Sequence, residues 1–364
     1  KFSLNIDCKY LYCSRASLRM PSYHLIGKEA DALLTLGGYY VTLKTLLQRV
    51  QLNEEERKSI YDEIGLTGVD EERALQRWNL EKIRIRLSES KKFHNYINEK
   101  SVKAYETAMG YLRQEKLLEQ KNLAIVDSGW TGSMQRSLRQ LLCSKGFSGH
   151  ITGFYFGMYV EPKEAIDGTY LTWHFNAKGK ATYKIPFCNN LFECILSAPH
   201  GMTTEYECKN GIFKPVMLDS YTQQQLDIIR SNIEYIRLYT NNRLSNINFE
   251  QFNCKDAQKE THILIKRYMS CPTRHEVELY SKFLFCDDIT EKYHLKLADS
   301  SQVNVLYSYS IISRILRRVF KIAPKKPIPE LLWPYGTIAY LPKWKRKWYW
   351  MNVYIWEWLK YVLR

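Results

Sequence analysis

Apolar residues recur at three- and four-residue steps through the first third of the chain: Leu33, Leu36, Tyr40, Leu43 and Leu47, then Phe93, Ile97, Tyr105, Met109 and Leu112. Charged residues fill the intervening positions, as on helices with one solvated face. The spacing predicts a helical block over about residues 28–120, with Asp70 as an N-cap before EERALQRW. Extended runs flank the block. DCKYLYCSR (7–15) reads as a short buried strand, residues 123–127 as a second that leads into a helix over 133–143, and HITGFYFGMYV (150–160) as a third. In TEYECKNGIFKPV (204–216), Asn210-Gly211 between two extended runs signals a hairpin, because both residues tolerate positive φ. Thr222 opens a helix with Leu226, Ile229, Ile233 and Ile236 on one face, and Thr273 with Glu276 has capping-box spacing.

This order predicts an α/β fold: an open, mainly parallel, Rossmann-like sheet with a large helical insertion and a mixed α/β carboxyl-terminal part. At 364 residues the chain exceeds one typical domain. Residues 1–160 would form the Rossmann-like core with its insert. Residues 161–300 would complete that core or form a second lobe, and 301–364 would be a basic, Trp-rich segment.

Composition narrows the class. A hydrophobic fraction of 45% is that of a globular protein, which excludes general disorder. Nine cysteines without a CxxC exclude a disulfide framework and a zinc site. Cys8 and Cys13, the closest pair, read as free buried thiols, and a reducing cytoplasm is expected. The chain opens on Lys1 without a signal-peptide core, so a processed product or a fragment is expected. The charge of +15 is uneven: from Ser301 onward twelve Lys or Arg face two Glu, a surplus of ten.

The chemistry centres on LAIVDSGWTGSMQRSL (123–138), an apolar run ending in Asp127. Gly129 and Gly132 allow close backbone approach, Ser128, Thr131 and Ser133 supply hydroxyls, and the following helix adds unpaired N–H groups and a positive dipole end. Together they suit a phosphate. Asp127 is suited to a sugar hydroxyl, a ribose diol or a divalent cation such as Mg²⁺. The competing account is a plain strand-to-helix turn with Thr131 or Ser133 as N-cap. Trp130, a large ring where a turn favours a small residue, and Gln135, one turn into the helix, weigh toward a site.

The stretch is no Walker loop, since no GK[ST] follows the glycines. Thr131-Gly132 after an apolar run ending in Asp resembles the phosphate loop of phosphoribosyltransferases, without its second acid and its further Gly-Thr. Asp127-Ser128-Gly129-Trp130-Thr131 resembles the first motif of haloacid-dehalogenase-like (HAD) phosphatases, with Gly129 in place of the acid that protonates the leaving group. LFCDD (284–288) imitates that family's later acidic pair. No metal site is assigned.

A second cluster is NNLFECILSAPHGMTTEYE (189–207), where Glu193 is the one charge of an apolar-leaning stretch and His200 follows in a Pro-His-Gly turn. A carboxylate and a histidine suit a general base and its orienter. The plainer account has Glu193 as a paired helix residue and His200 at the surface. Ser14 and Arg15, at the end of the first predicted strand, are placed to face the same crevice, with Arg15 as a fork donor to phosphate. The plainer account sets Arg15 and Arg19 on a solvated face.

At the carboxyl-terminal end, KWKRKWYWMNVYIWEWLKYVLR (343–364) sets four basic residues beside five tryptophans. Its apolar part is shorter than the ~20 residues of a spanning helix. A basic stem leading into a Trp/Tyr-rich segment is the pattern of a helix lying on an anionic membrane surface. No nucleic-acid-reading motif accompanies the charge, and nucleic acid is not expected as a partner.

YLYCSRASL (10–18), IVDSGWTGSMQRSL (125–138), FECILSAPHG (192–201) and CPTRHEVELYSKFLFCDD (271–288) together resemble the carboxyl-terminal region of large bacterial capsule and O-antigen locus proteins. Those proteins are described as predicted HAD-superfamily hydrolases or glycosyltransferase-associated proteins. The resemblance covers most of this chain. The family's upstream hydrolase motifs and its Arg-Asp-Gly strand are absent, so its catalytic residues do not carry over. It implies a role in surface-polysaccharide biosynthesis at the cytoplasmic face of the bacterial membrane, alongside other assembly proteins, with a sugar phosphate or nucleotide sugar as ligand. Three readings stay open: a glycosyl or sugar-phosphate transferase with Asp127 and Glu193 as its acids, a non-catalytic membrane-surface scaffold, and a remnant HAD-like phosphatase.

Overall fold

A computed structural model describes residues 7–27, 41–73, 75, 77–161, 168–218, 221–248, 251–285, 295–307, 311, 315–316, 319–320 and 331–362. Leu33, Leu36, Tyr40 and the acidic pair Asp287-Asp288 lie outside these. Helix α1 (Arg15–Ile26) opens the order, followed by α2 (Leu43–Gln48), α3 (Glu54–Glu63), α4 (Arg77–Glu89) and α5 (Lys91–Gln114). Strand β1 (Asn122–Trp130), helix α6 (Ser133–Cys143), and strands β2 (His150–Met158) and β3 (Thr169–Phe175) come next. Two short helices, α7 (Ala181–Lys184) and α8 (Asn189–Ile195), precede the hairpin of β4 (Thr203–Lys209) and β5 (Ile212–Met217). Three helices follow: α9 (Gln223–Asn246), α10 (Cys254–Ser270) and α11 (Arg274–Tyr280). After a small ladder of β6 (Leu284–Phe285) and β7 (Leu295–Lys296) come α12 (Val303–Tyr307), α13 (Pro334–Ile338) and α14 (Lys343–Val362).

The architecture is mixed α/β, built on a small, open, parallel sheet of order β1-β2-β3. Register pairs Asp127 with Tyr155, Gly129 with Gly157 and Trp130 with Met158, which aligns the carboxyl ends of β1 and β2. Alternation along β1 turns Ile125 and Asp127 toward α6, while Val126 faces out and is 85% exposed. Val126, Phe154 and Leu171 lie in register across the three strands and are all exposed, so one half of that face is bare.

Local chemistry sets the element ends. Asn210 (φ 53°) and Gly211 (φ 76°) form the hairpin turn, and reciprocal capping boxes start α9 at Thr222–Gln225 and α11 at Thr273–Glu276. Two expectations need correction. Residues 7–14 form no strand: the Tyr12 N–H donates to the Tyr111 hydroxyl (3.1 Å) and its carbonyl accepts from the Tyr206 hydroxyl (2.9 Å). Side chains thus take bonds that a ladder would have made. Asp70 caps no helix: its carboxylate accepts the Glu72 N–H within a turn, and α4 begins only at Arg77.

The core has three main parts. Buried residues of α2, α3 and α4 pack on Phe93 and Ile97 of α5. The outer half of α5 packs with α1, α6, β2 and β4 around Leu141, Ile151 and Tyr206. A third cluster joins Leu191, Ile229 and Val277 to Trp333, Ile338 and Val353, so residues on both sides of position 300 share one core. The fully buried Trp333 donates its indole N–H to the Met269 carbonyl at 2.7 Å. Cys8 is exposed rather than buried, and Arg19 is buried rather than solvated.

Candidate functional site

The end of β1 carries an unusual backbone. Gly129, Trp130 and Gly132 all have positive φ (114°, 76° and 66°). The Thr131 N–H donates to the Gly129 carbonyl at 3.2 Å, so Trp130 sits at the centre of a tight i→i+2 turn. A bulky residue in this region costs about 1–3 kcal/mol. The Trp130 ring offsets that cost. It packs against Tyr159, Phe175, Phe187 and Phe192 at centroid distances of 5.3–6.4 Å, and its indole N–H donates to Glu193. Four such ring contacts at about 0.5–1.5 kcal/mol each, about 2–6 kcal/mol together, are large enough to offset the strain. Trp130 is therefore an anchor for the loop.

Asp127 faces the opposite way. Its carboxylate accepts the Ser128 N–H at 2.8 Å and lies within 3.4 Å of the Ser128 hydroxyl. Burial pushes its pKa above the usual carboxylate range, against the pull of the Ser128 and Gly129 N–H groups and the Arg15 charge. The Cys13 thiol is pushed up to about 12, by burial first and then by the Asp127 charge. Tyr155, one strand over, is raised by burial and by the same carboxylate. Cys13, Arg15 and Tyr155 thus lie near enough to Asp127 to interact with its charge.

The other predicted residues have different placements. Ser14 caps α1: its hydroxyl accepts the Ala16 and Ser17 N–H groups and donates to the Thr203 carbonyl at 2.5 Å. Thr131, on the exposed rim, donates to the Ser133 hydroxyl at 3.2 Å. Gly132 is the N-cap of α6, and no side chain caps that helix. Gln135, 1% exposed, points into the sheet instead of the loop: its amide reaches the Thr169 carbonyl at 3.3 Å and accepts from the Tyr155 hydroxyl at 2.8 Å. His200 packs on Tyr10 and Tyr12, with Nε2 3.1 Å from the Tyr10 hydroxyl and Nδ1 2.8 Å from the Gly201 carbonyl.

Glu193 joins the loop through Trp130. Its neighbour Phe192 packs on Phe156, which alternates with Tyr155 and so belongs to the face of β2 away from α6. Asp127 and Glu193 therefore stand on opposite faces of the sheet and do not form one acidic pair. Among the described residues, no three His, Cys, Asp or Glu side chains gather to hold a metal ion.

Sequence reading missed two features. Cys13 directly precedes Ser14-Arg15 and Tyr10 lies three residues before Cys13, and their nearness to Asp127 and His200 depends on the fold. A cavity of about 640 Å³ lies at the end of β3, lined by Trp173, His174, Asn176, Lys180, Lys255 and Lys259 among others. His174 is 6% exposed and its ring nitrogens make no well-formed hydrogen bond. Its pKa is lowered to about 4, by burial and then by His262 nearby. A second cavity of about 450 Å³ lies away from this edge, between α5 and the β4–β5 hairpin. In comparisons with known proteins, no family model matches the chain and no curated protein matches it.

Proposed function

We propose that loop 127–133 binds a phosphorylated or nucleotide-linked sugar, in a bacterial protein of surface-polysaccharide assembly whose sheet acts in the Rossmann-like manner. One observation carries the reading: the carboxyl end of a parallel strand runs through three positive-φ residues into a helix without a side-chain cap, beside Arg15 and a buried carboxylate. The N–H groups of the first turn of α6 and the Arg15 guanidinium suit a phosphate. Asp127 suits a sugar hydroxyl, because a carboxylate with a raised pKa serves better as a hydrogen-bond partner than as a bare charge beside an anion. With Glu193 on the other face, transfer chemistry would rest on Asp127 alone.

The test is thermal shift with UDP-glucose, glucose 1-phosphate and inorganic phosphate on the wild type, Asp127→Asn and Arg15→Gln. A bound ligand raises the wild-type midpoint by mass action. The rise shrinks with every phosphorylated ligand in Arg15→Gln, and only with the sugar-bearing ligands in Asp127→Asn. No wild-type rise with any of the three overturns the reading.

A further inference from the structure

We propose that α14 is a docking helix for an anionic lipid bilayer, with Trp344, Trp348, Met351, Ile355 and Trp358 as the inserted face. This surface goes beyond the ligand reading and does not rest on it. These five residues follow one another at steps of four, three, four and three, which confines them to an arc of about 80°. They are exposed by 78%, 66%, 43%, 40% and 43% in turn. The stripe is about 21 Å long at 1.5 Å per residue.

The opposite side of α14 is already occupied. Val353 is 2% exposed in the carboxyl-terminal core. The Trp350 indole donates to the Ser270 carbonyl at 2.8 Å, and the Arg346 guanidinium donates to the Leu341 and Ala339 carbonyls at 2.8 and 2.7 Å. A helix docked on its own core by one face has a second apolar face turned to solvent.

Charge selects the occupant. Lys343 and Lys347 flank the stripe on one side and Lys345 on the other at helical spacing, and Lys345 lies over the Trp344 ring at 4.9 Å. The one acid of α14, Glu357, bonds to Lys360 at 2.7 Å. A second copy seated on the stripe would bring lysines against lysines, whereas an anionic headgroup layer answers them. Tryptophan with flanking lysine is also the composition of the bilayer interface. In the same basic region Val319 and Phe320 are each 66% exposed. No helix among the described residues is long and apolar enough to cross a membrane, so α14 would lie in the headgroup plane.

Cosedimentation of the full chain with vesicles tests this, using phosphatidylcholine mixed with phosphatidylglycerol and phosphatidylcholine alone. Binding to the anionic vesicles is expected, weakening as salt is raised. The double variant Trp344→Ser/Trp348→Ser loses about tenfold or more, and Lys343→Glu/Lys347→Glu loses the preference for anionic lipid. An unchanged circular dichroism spectrum shows that these outward substitutions leave the fold intact. The proposal is overturned if the wild type does not sediment with vesicles, if the Trp double variant binds equally well, or if both vesicle types bind alike. Self-association abolished by the Trp double variant, without vesicle binding, would give the stripe to a second copy and likewise overturn it. UDP-glucose binding, scored on the same proteins, reports on the loop separately.

Discussion

The loop geometry makes its sharpest prediction at Gly129. A Cβ built there would stand 2.2 Å from the Gly157 carbonyl oxygen and 3.2 Å from the Tyr155 Cβ, at a φ of 114°. Gly211 is the control: it also has positive φ (76°), but a Cβ there meets nothing within 4 Å. Both alanine variants bear the backbone cost of an L-residue at positive φ, about 1–2 kcal/mol. Gly129→Ala must in addition displace a strand carbonyl by about 1 Å to restore ordinary contact, and overpacking of this kind costs about 1–3 kcal/mol. The expected losses are therefore about 2–5 kcal/mol for Gly129→Ala and about 1–2 kcal/mol for Gly211→Ala. Urea unfolding with both variants at the wild-type slope measures the difference. Equal losses would mean that β1 and β2 do not approach at Gly129 and Gly157, and the loop geometry would be refuted.

Three further outcomes follow from the same structure. Asp127 binds its proton more tightly folded than unfolded, so its contribution to stability falls as pH rises from the ordinary carboxylate range through its raised value. Asp127→Asn should thus be more stable than wild type at pH 7, by about 1.4 kcal/mol per tenfold in proton affinity, with the gain gone in acid; a less stable variant at pH 7 refutes this. Burial tends to raise the pKa of Glu71, but hydrogen bonds from Arg57 and Tyr61 and the Arg57 charge hold it below the ordinary value. Its contribution is full above the unfolded pKa and lost as pH falls through the lowered one, so Glu71→Gln should cost about 1–2 kcal/mol at pH 7, the worth of a partly exposed charged hydrogen-bonded pair, and little in acid by urea titration. His174, neutral when folded, must charge on unfolding in acid, so stability should fall by about 3 kcal/mol as pH drops from the ordinary histidine range to about 4. His174→Phe should flatten that limb of the profile.

Elements with strong local signals were legible from sequence. Helix α6 spans the expected Ser133–Cys143, Asn210-Gly211 turns the hairpin, and Thr222 and Thr273 cap their helices. Each rests on neighbouring residues alone. Residues 7–14 misled because an apolar run looks the same whether a strand or a tyrosine hydroxyl receives its backbone bonds. The polar gathering around Asp127 was half legible: the loop residues were visible, but Cys13 and Arg15 reach it only through the packing of α1. Alternation past Asp127 puts Glu193 on the far face, which required knowing that α8 packs on Phe156. The cavity at β3 joins Asn176 to Lys255, and no local pattern links positions so far apart.

Trp130 carries a consequence for how a ligand would be met. Its backbone is bent into the loop while its ring is wedged among four others on the far side of the sheet and bonded to Glu193. The loop cannot swing without dragging an indole out of that packing. Its shape is thus settled during folding, and an arriving ligand has little ordering entropy left to supply. Recognition at this edge would then resemble a key entering a rigid lock, selective for shape and intolerant of bulk.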